Sequence, residues 1–199
     1  MNETVLYIHG KGGNAAESGH YKPLFPGCDV VGLDYQSFTP WEAGAEILDA
    51  VTELKKRHKN IILIANSIGA FFCMNAGIDA LIERAYFISP VVDMERLICG
   101  MMKRANVTEA QLKEKGVIGT DFGEDLSWEY LCYVREHPVR WTPPTEVLYG
   151  GKDELTSYET MTAFADKHNV KLTVMENGEH WFHTEEQMRF LDHWIRGNK

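Results

Sequence analysis

The chain has 199 residues, which favours one domain with a core large enough to need neither disulfides nor structural metals. Its formal net charge is −9, and its densest basic run, 55–59, suits a helix end, so nucleic-acid binding is disfavoured. Apolar and charged residues make up 44% and 25% of the chain, as in ordinary globular proteins, and no apolar run is long enough to span a bilayer.

The cysteines indicate a reducing compartment. There are four, widely separated and without CxxC spacing, so a disulfide framework is not expected. The first residues lead directly into an apolar run without the basic segment of a signal peptide. We therefore expect a cytoplasmic protein without a membrane partner, either a monomer or a homodimer.

Six short strands are predicted in chain order. Most are continuous apolar runs, which is typical of parallel strands buried on both faces. Because helical patterns alternate with them, the sequence predicts an α/β fold, a mostly parallel sheet with helices on both faces. The predicted strands are Thr4–Ile8, Val30–Leu33, Ile61–Ala65, Ala85–Ile88, Glu146–Tyr149 and Lys171–Met175.

Helix starts are marked by capping residues. Thr39 precedes Pro40 and Glu42, a combination that predicts a capping box with proline at the first helical position. Further helices are expected after Ser67, ending near Gly77, and at the capping patterns 156–159 and 184–187.

The segment 93–141 interrupts the alternation of strands and helices. It contains three short helical patterns, at 94–103, 108–115 and 127–136, and no good strand. Insertions of this length between core strands are usually functional, often as a lid, although a packed structural excursion is the alternative. We expect one domain, 1–199, with a helical cap at about 93–141.

Ser67 occupies the most informative position in the chain. It follows the apolar run Ile61–Ala65 within Asn66-Ser67-Ile68-Gly69, where a strand must turn sharply into a helix. That is the setting of a nucleophile elbow, which exposes the serine hydroxyl at the end of the strand. The alternative is a simple helix-capping serine.

A glycine-rich turn follows the first strand. His9-Gly10-Lys11-Gly12-Gly13 can direct backbone N–H groups at a developing oxyanion. The N–H groups of Lys11 and Ile68 would form a two-donor oxyanion hole. A phosphate loop is disfavoured because Lys11 is followed by glycine, and the glycine spacing does not fit a dinucleotide fingerprint.

Two further strand ends carry an acid and a base. Asp153 follows the fifth predicted strand, where a carboxylate can orient an imidazole, although Gly-Lys-Asp also suits a plain turn. His180 follows the sixth and can act as a general base; His183 is a rival that better suits a helix start. A metal site at these histidines is disfavoured because no third ligand has suitable spacing, and no cofactor is implied.

The order Ser67, Asp153, His180 resembles that of the α/β-hydrolases, and the resemblance covers nearly the whole chain. It implies these residues as nucleophile, acid and base, oxyanion donors at Lys11 and Ile68, and a cap between strands. It also implies that the family's first two antiparallel strands are missing. One departure is Ala65, where the family usually has glycine, and Asp93, after the fourth predicted strand, is an alternative acid.

The function expected from this resemblance is that of a serine hydrolase of the carboxylesterase type. It would cleave an ester, thioester or amide of a small apolar substrate through an acyl-enzyme on Ser67. A non-catalytic small-molecule binder and an acyltransferase are the alternatives. The predicted substrate pocket comprises Met101, Met102, Trp128 and Trp141.

Overall fold

The computed structural model describes residues 3–199, and a six-stranded parallel sheet forms its centre. The order across the sheet is β2-β1-β3-β4-β7-β8, and every neighbouring pair in it is parallel. A separate two-stranded antiparallel pair is formed by β5 and β6. The strands are β1 (Glu3–Ile8), β2 (Asp29–Leu33), β3 (Asn60–Asn66), β4 (Arg84–Ile88), β5 (Val117–Ile118), β6 (Leu126–Ser127), β7 (Thr145–Gly150) and β8 (Lys171–Met175).

The sheet confirms the six strands predicted from the sequence. Each predicted strand lies inside an observed one, and β8 has the predicted bounds. The two short strands β5 and β6 were missed because two residues are too few to show a pattern.

Helices cover both faces of the sheet. On one face α1 packs against α2 and β3; on the other, the first 3-10 helix (Ala15–Leu24) packs against β1, β2 and α7. No helix among residues 3–199 is long and apolar enough to cross a membrane. The α-helices are α1 (Pro40–Lys55), α2 (Ile68–Asn75), α3 (Met94–Arg104), α4 (Glu109–Lys115), α5 (Trp128–Glu136), α6 (Tyr158–His168) and α7 (Glu185–Gly197); a second 3-10 helix spans Asp79–Leu81.

One predicted cap differs from the observed one. Thr39 is the residue before α1, but its hydroxyl donates to the Glu42 carboxylate at 2.6 Å and caps no backbone N–H. The capping box expected from the sequence is therefore incomplete here. A complete capping box forms at α7, between Thr184 and Gln187.

Residues 93–138 form a compact unit of their own. The unit contains α3, α4, α5 and the β5–β6 pair, and Arg135 joins two of its helices by binding Glu95 at 2.7 Å and Glu109 at 2.9 Å. Its extent is close to the predicted insertion, although the unit ends at Pro138 rather than Trp141. Whether it acts as a cap stays a prediction.

Tyr7 is a buried polar residue near the carboxyl end of β1. Its side chain is almost inaccessible, and its hydroxyl donates to the Glu17 carboxylate and accepts from the Asn66 amide at 2.9 Å. Burial, reinforced by Tyr21 and Glu17, raises the pKa of Tyr7 far above its ordinary value of 10.0. The folded protein therefore keeps a proton that the unfolded chain releases in alkaline solution.

We expect the free energy of unfolding to fall as the pH rises above about 10, where the tyrosines of the unfolded chain ionise. Between pH 8 and pH 11 the loss attributable to Tyr7 is about 1 kcal/mol. Urea unfolding at the two pH values measures it. Tyr7→Phe should reduce the loss and Tyr158→Phe, at an exposed tyrosine, should not; equal losses in both variants would contradict this account.

Candidate active site

The backbone of Ser67 adopts an unusual conformation where β3 turns into α2. Its φ is 51° and its ψ is −123°, in a region that residues other than glycine rarely occupy. The turn is held from β4 and the residues after it: the Ser67 N–H donates to the Ile88 carbonyl at 3.0 Å, and the Val91 N–H donates to the Ser67 carbonyl at 3.1 Å. This is the sharp strand-to-helix turn expected from the sequence.

The glycine turn after β1 lies directly against this serine. A Cβ added to Gly69 would lie 2.3 Å from the His9 carbonyl oxygen, and one added to Gly10 would lie 3.1 Å from the Ser67 Cβ. Glycine at both positions therefore allows the two turns to meet. Ala65 is buried in β3, where it pairs with Ile8 of β1.

The turns after β7 and β8 also pack together. A Cβ on Gly150 would lie 2.4 Å from the Glu179 carbonyl oxygen, and the Lys152 N–H donates to the Gly178 carbonyl at 2.8 Å. This packing brings the loop that carries Asp153 against the loop that carries His180.

Ser67, His180 and Asp153 form one hydrogen-bonded line. The Ser67 Oγ lies 2.7 Å from His180 Nε2, and His180 Nδ1 lies 2.7 Å from Asp153 Oδ2. Because an ionised carboxylate only accepts hydrogen bonds, Nδ1 carries the proton and Nε2 is left as an acceptor for the serine hydroxyl. This arrangement can remove a proton from Ser67.

The Asp153 carboxylate is fixed on both oxygens. Its Oδ1 accepts hydrogen bonds from the backbone N–H groups of Leu155 at 2.8 Å and Thr156 at 3.1 Å, and its side chain is fully buried. The His180 side chain is 20% exposed, so the imidazole is accessible to solvent whereas the Asp153 carboxylate is not.

A cavity of about 680 Å³ opens beside Ser67 and His180. Its size is within the range of small-molecule sites. Apolar residues from α7 and from the loops after β7 and β8 line part of it, and the glycine turn and the first 3-10 helix line another part. The residues that line the cavity include Tyr7, Lys11, Glu17, His20, Tyr21, Asn66, Ile88, Leu155, Trp181, Phe182, His183, Met188 and Leu191.

Known proteins share this architecture. Est1E from Butyrivibrio proteoclasticus superimposes with a TM-score of 0.76 at 18% identity, over 99% of this chain and 86% of that one. Alpha/beta hydrolase domain-containing protein 10 from mouse superimposes with a TM-score of 0.76 at 17% identity, over 98% and 88%. The chain has the α/β-hydrolase fold.

Sequence comparison gives a shorter match. A protein of Mycoplasma genitalium named provisionally as an esterase/lipase is 31% identical over 99 residues, which are 48% of this chain and 34% of that protein. The match thus spans about a third of the relative's length. No protein-family model matches the chain.

The two expected oxyanion donors lie beside the serine of this α/β-hydrolase fold. Lys11 lines the cavity, and Ile68 is the first residue of α2. N–H groups in the first turn of a helix have no partner within that helix, which leaves the Ile68 N–H able to serve a ligand. Their role as oxyanion donors stays a prediction.

The rival acid and base have other contacts. Asp93 belongs to the unit 93–138, where its carboxylate accepts from the Arg96 N–H at 2.9 Å and caps α3. His183 donates its backbone N–H to Gln187 at 3.0 Å, as expected of a residue that precedes a helix. Among residues 3–199 no group of three metal-ligating side chains could hold an ion.

The residues predicted to form the pocket belong to two different units of the structure. Trp141 lies before β7, its indole N–H donates to Thr145 at 2.7 Å and its ring packs on Phe87, so it sits at the opposite end of that strand from the Asp153 turn. A pocket role for Trp141 is therefore wrong. The other three belong to the unit 93–138: Met102 is buried, and Met101 and Trp128 are partly exposed. Their substrate contact stays a prediction.

Several cavity residues were not anticipated from the sequence. Tyr7, Glu17, His20 and Asn66 line the cavity beside Ser67. The available signal was the position of Glu17 and His20, soon after a glycine turn already assigned to the site. A 3-10 helix has no strong periodic signature, so the sequence did not show which way these side chains point.

Substitution of Gly69 tests the contact between the two turns. We expect Gly69→Ala to lower the free energy of unfolding by about 1–3 kcal/mol, because its Cβ would overlap the His9 carbonyl oxygen. Urea unfolding measures the loss.

Gly100→Ala is the matched control. Gly100 lies in α3 with open space around its Cβ position, so this change should raise stability by up to about 1 kcal/mol. A Gly69→Ala protein as stable as the parent would show that the two turns are not in close contact.

Proposed function

We propose that the protein is a serine hydrolase that cleaves carboxylic esters, or the related thioesters and amides, through an acyl-enzyme on Ser67. The observation that carries the proposal is the 2.7 Å contact between the Ser67 hydroxyl and His180 Nε2, with Asp153 on the far side of the imidazole. The esterase/lipase name of the sequence relative and the thioesterase name of one protein with the same fold support this reaction class.

The first half-reaction forms the acyl-enzyme. His180 Nε2 takes the proton of Ser67 as Oγ bonds to the substrate carbonyl carbon, and Asp153 stabilises the imidazolium that results. The tetrahedral oxyanion is bound by the N–H groups of Lys11 and Ile68. Collapse of this intermediate breaks the bond to the leaving group, which takes its proton from His180.

The second half-reaction regenerates the serine. Water enters in place of the leaving group, loses a proton to His180 and attacks the acyl carbon. The bond to Ser67 Oγ then breaks, the proton returns to the serine, and the carboxylic acid leaves. No other proton carrier is needed, because the same imidazole serves both steps.

The substrate is expected to be small and partly apolar. The apolar wall of the cavity suits an alkyl or aryl group, and the cavity volume is that of a site for a drug-sized molecule. One structure with the same fold is Est1E with bound ferulic acid, an aryl acid, which is compatible with such a wall. Its TM-score against this chain is 0.70 at 17% identity.

Ser67→Ala tests the nucleophile. We expect the variant to lose hydrolysis of chromogenic esters and labelling by a fluorophosphonate probe, with its unfolding transition intact. The parent should yield free acid from water, and no transfer product when a competing alcohol is added at low concentration. Ester hydrolysis at the parent rate in Ser67→Ala would overturn the proposal.

Replacement of the two candidate acids separates their roles. Asp153→Asn should lower kcat by about 10³–10⁴-fold, because an amide at this position favours the wrong imidazole tautomer. Asp93→Asn serves as the matched control and should leave kcat within about twofold, since asparagine can still cap α3. Equal losses in the two variants would contradict the assignment of Asp153.

A further inference from the structure

The cavity has a polar wall that the proposed reaction does not use. It is formed by the first 3-10 helix, where Glu17 and His20 line the cavity, and by the Tyr7 hydroxyl below them. The wall faces the same space as Ser67 and His180. Substrate bound at the serine would therefore contact it.

The wall is connected to the nucleophile by a directed chain of hydrogen bonds. The Tyr7 hydroxyl donates to the Glu17 carboxylate, which can only accept, so the Tyr7 oxygen must accept from the Asn66 amide at 2.9 Å. Asn66 immediately precedes Ser67. Two hydrogen bonds thus connect Glu17 to the residue that precedes the nucleophile.

A second histidine–carboxylate pair lies in this wall. His20 Nε2 is 2.7 Å from Asp192 Oδ1 on α7, and the His20 side chain is one-third exposed. The Asp192 carboxylate accepts a hydrogen bond from the Nε2–H group, so Nδ1 is the acceptor nitrogen of neutral His20. With the Glu17 carboxylate, which is solvent-exposed, the wall offers acceptors to a ligand rather than donors.

The charge near this wall is mainly negative. Burial raises the pKa of Tyr21, and the negative charges of Glu17 and Asp192 raise it further. Both carboxylates therefore lie close enough to act on the Tyr21 hydroxyl. Lys11 and His183 also line the cavity, the first from the glycine turn and the second beside Glu179. A cation or neutral donor therefore fits this wall better than a carboxylate does.

We propose that Glu17 and His20 form a specificity subsite for a hydrogen-bond donor, an ammonium or hydroxyl group, at the end of the substrate remote from the bond cleaved at Ser67. The subsite's role in substrate choice rests on the proposed ester hydrolysis, whereas ligand binding to it does not. Apolar residues between the two ends, such as Ile88 and Leu191, would contact the chain that joins them.

Binding to the Ser67→Ala protein tests the subsite without turnover. The ligands are methyl heptanoate and three analogues in which its terminal methyl is replaced by an ammonium, hydroxyl or carboxylate group, titrated by calorimetry. We expect the ammonium ester to bind at least about tenfold more tightly than the carboxylate ester, and the hydroxyl ester at least as tightly as methyl heptanoate.

A second substitution in the Ser67→Ala protein shows which residues cause the preference for the ammonium ester. Glu17→Gln, which can still accept from Tyr7, should reduce the ammonium-to-carboxylate preference about tenfold, and Asp192→Asn should reduce it less. Glu53→Gln, on the exposed face of α1, controls for the net charge of the protein and should leave it unchanged. Equal binding of the two charged esters, or a preference unaffected by Glu17→Gln, would overturn the subsite.

Turnover of the same esters by the parent protein is measured separately. A binding preference without hydrolysis of any ester would refute the proposed function and support the subsite. Hydrolysis of every ester without the binding preference would refute the subsite and support the proposed function.

Discussion

The arrangement of the candidate site depends on the backbone of Ser67, which is held in a conformation that costs about 1–3 kcal/mol for a residue other than glycine. Hydrogen bonds to Ile88 and from Val91 hold it there. Those bonds exist because β4 runs parallel to β3 and ends beside it. The stability of the parallel sheet thus offsets strain at the one residue whose hydroxyl must project from it.

The same sheet brings three distant chain segments together. The carboxyl ends of β3, β7 and β8 lie at the same end of the sheet because the strands are parallel. The loops that leave them carry Ser67, Asp153 and His180. Close packing at Gly69 and Gly150 then reduces the separations to hydrogen-bond length. The sheet brings the three segments near one another, and the absence of a side chain at the two glycines allows the turns to come into contact.

The fold and the candidate triad could be predicted from sequence because each depends on local signals. Buried strands such as Ile61–Ala65 are continuous apolar runs, and Ser67, Asp153 and His180 each lie soon after the end of a predicted strand. The polar wall could not be predicted, because His20 is positioned by Asp192, 172 residues further along the chain, and Glu17 by a buried tyrosine in β1. Trp141 was misassigned because composition does not show which end of a strand an aromatic residue covers.

The strand that precedes the His180 loop lies at an edge of the sheet. β8 lies at the edge, pairs only with β7 among the described strands, and is half-exposed over most of its length. Edge elements open locally at a lower free energy than the whole domain. Local opening of β8 would separate His180 from Ser67 while the central strands stay folded, so the lifetime of this hydrogen-bonded line depends on the edge of the sheet as well as on its core.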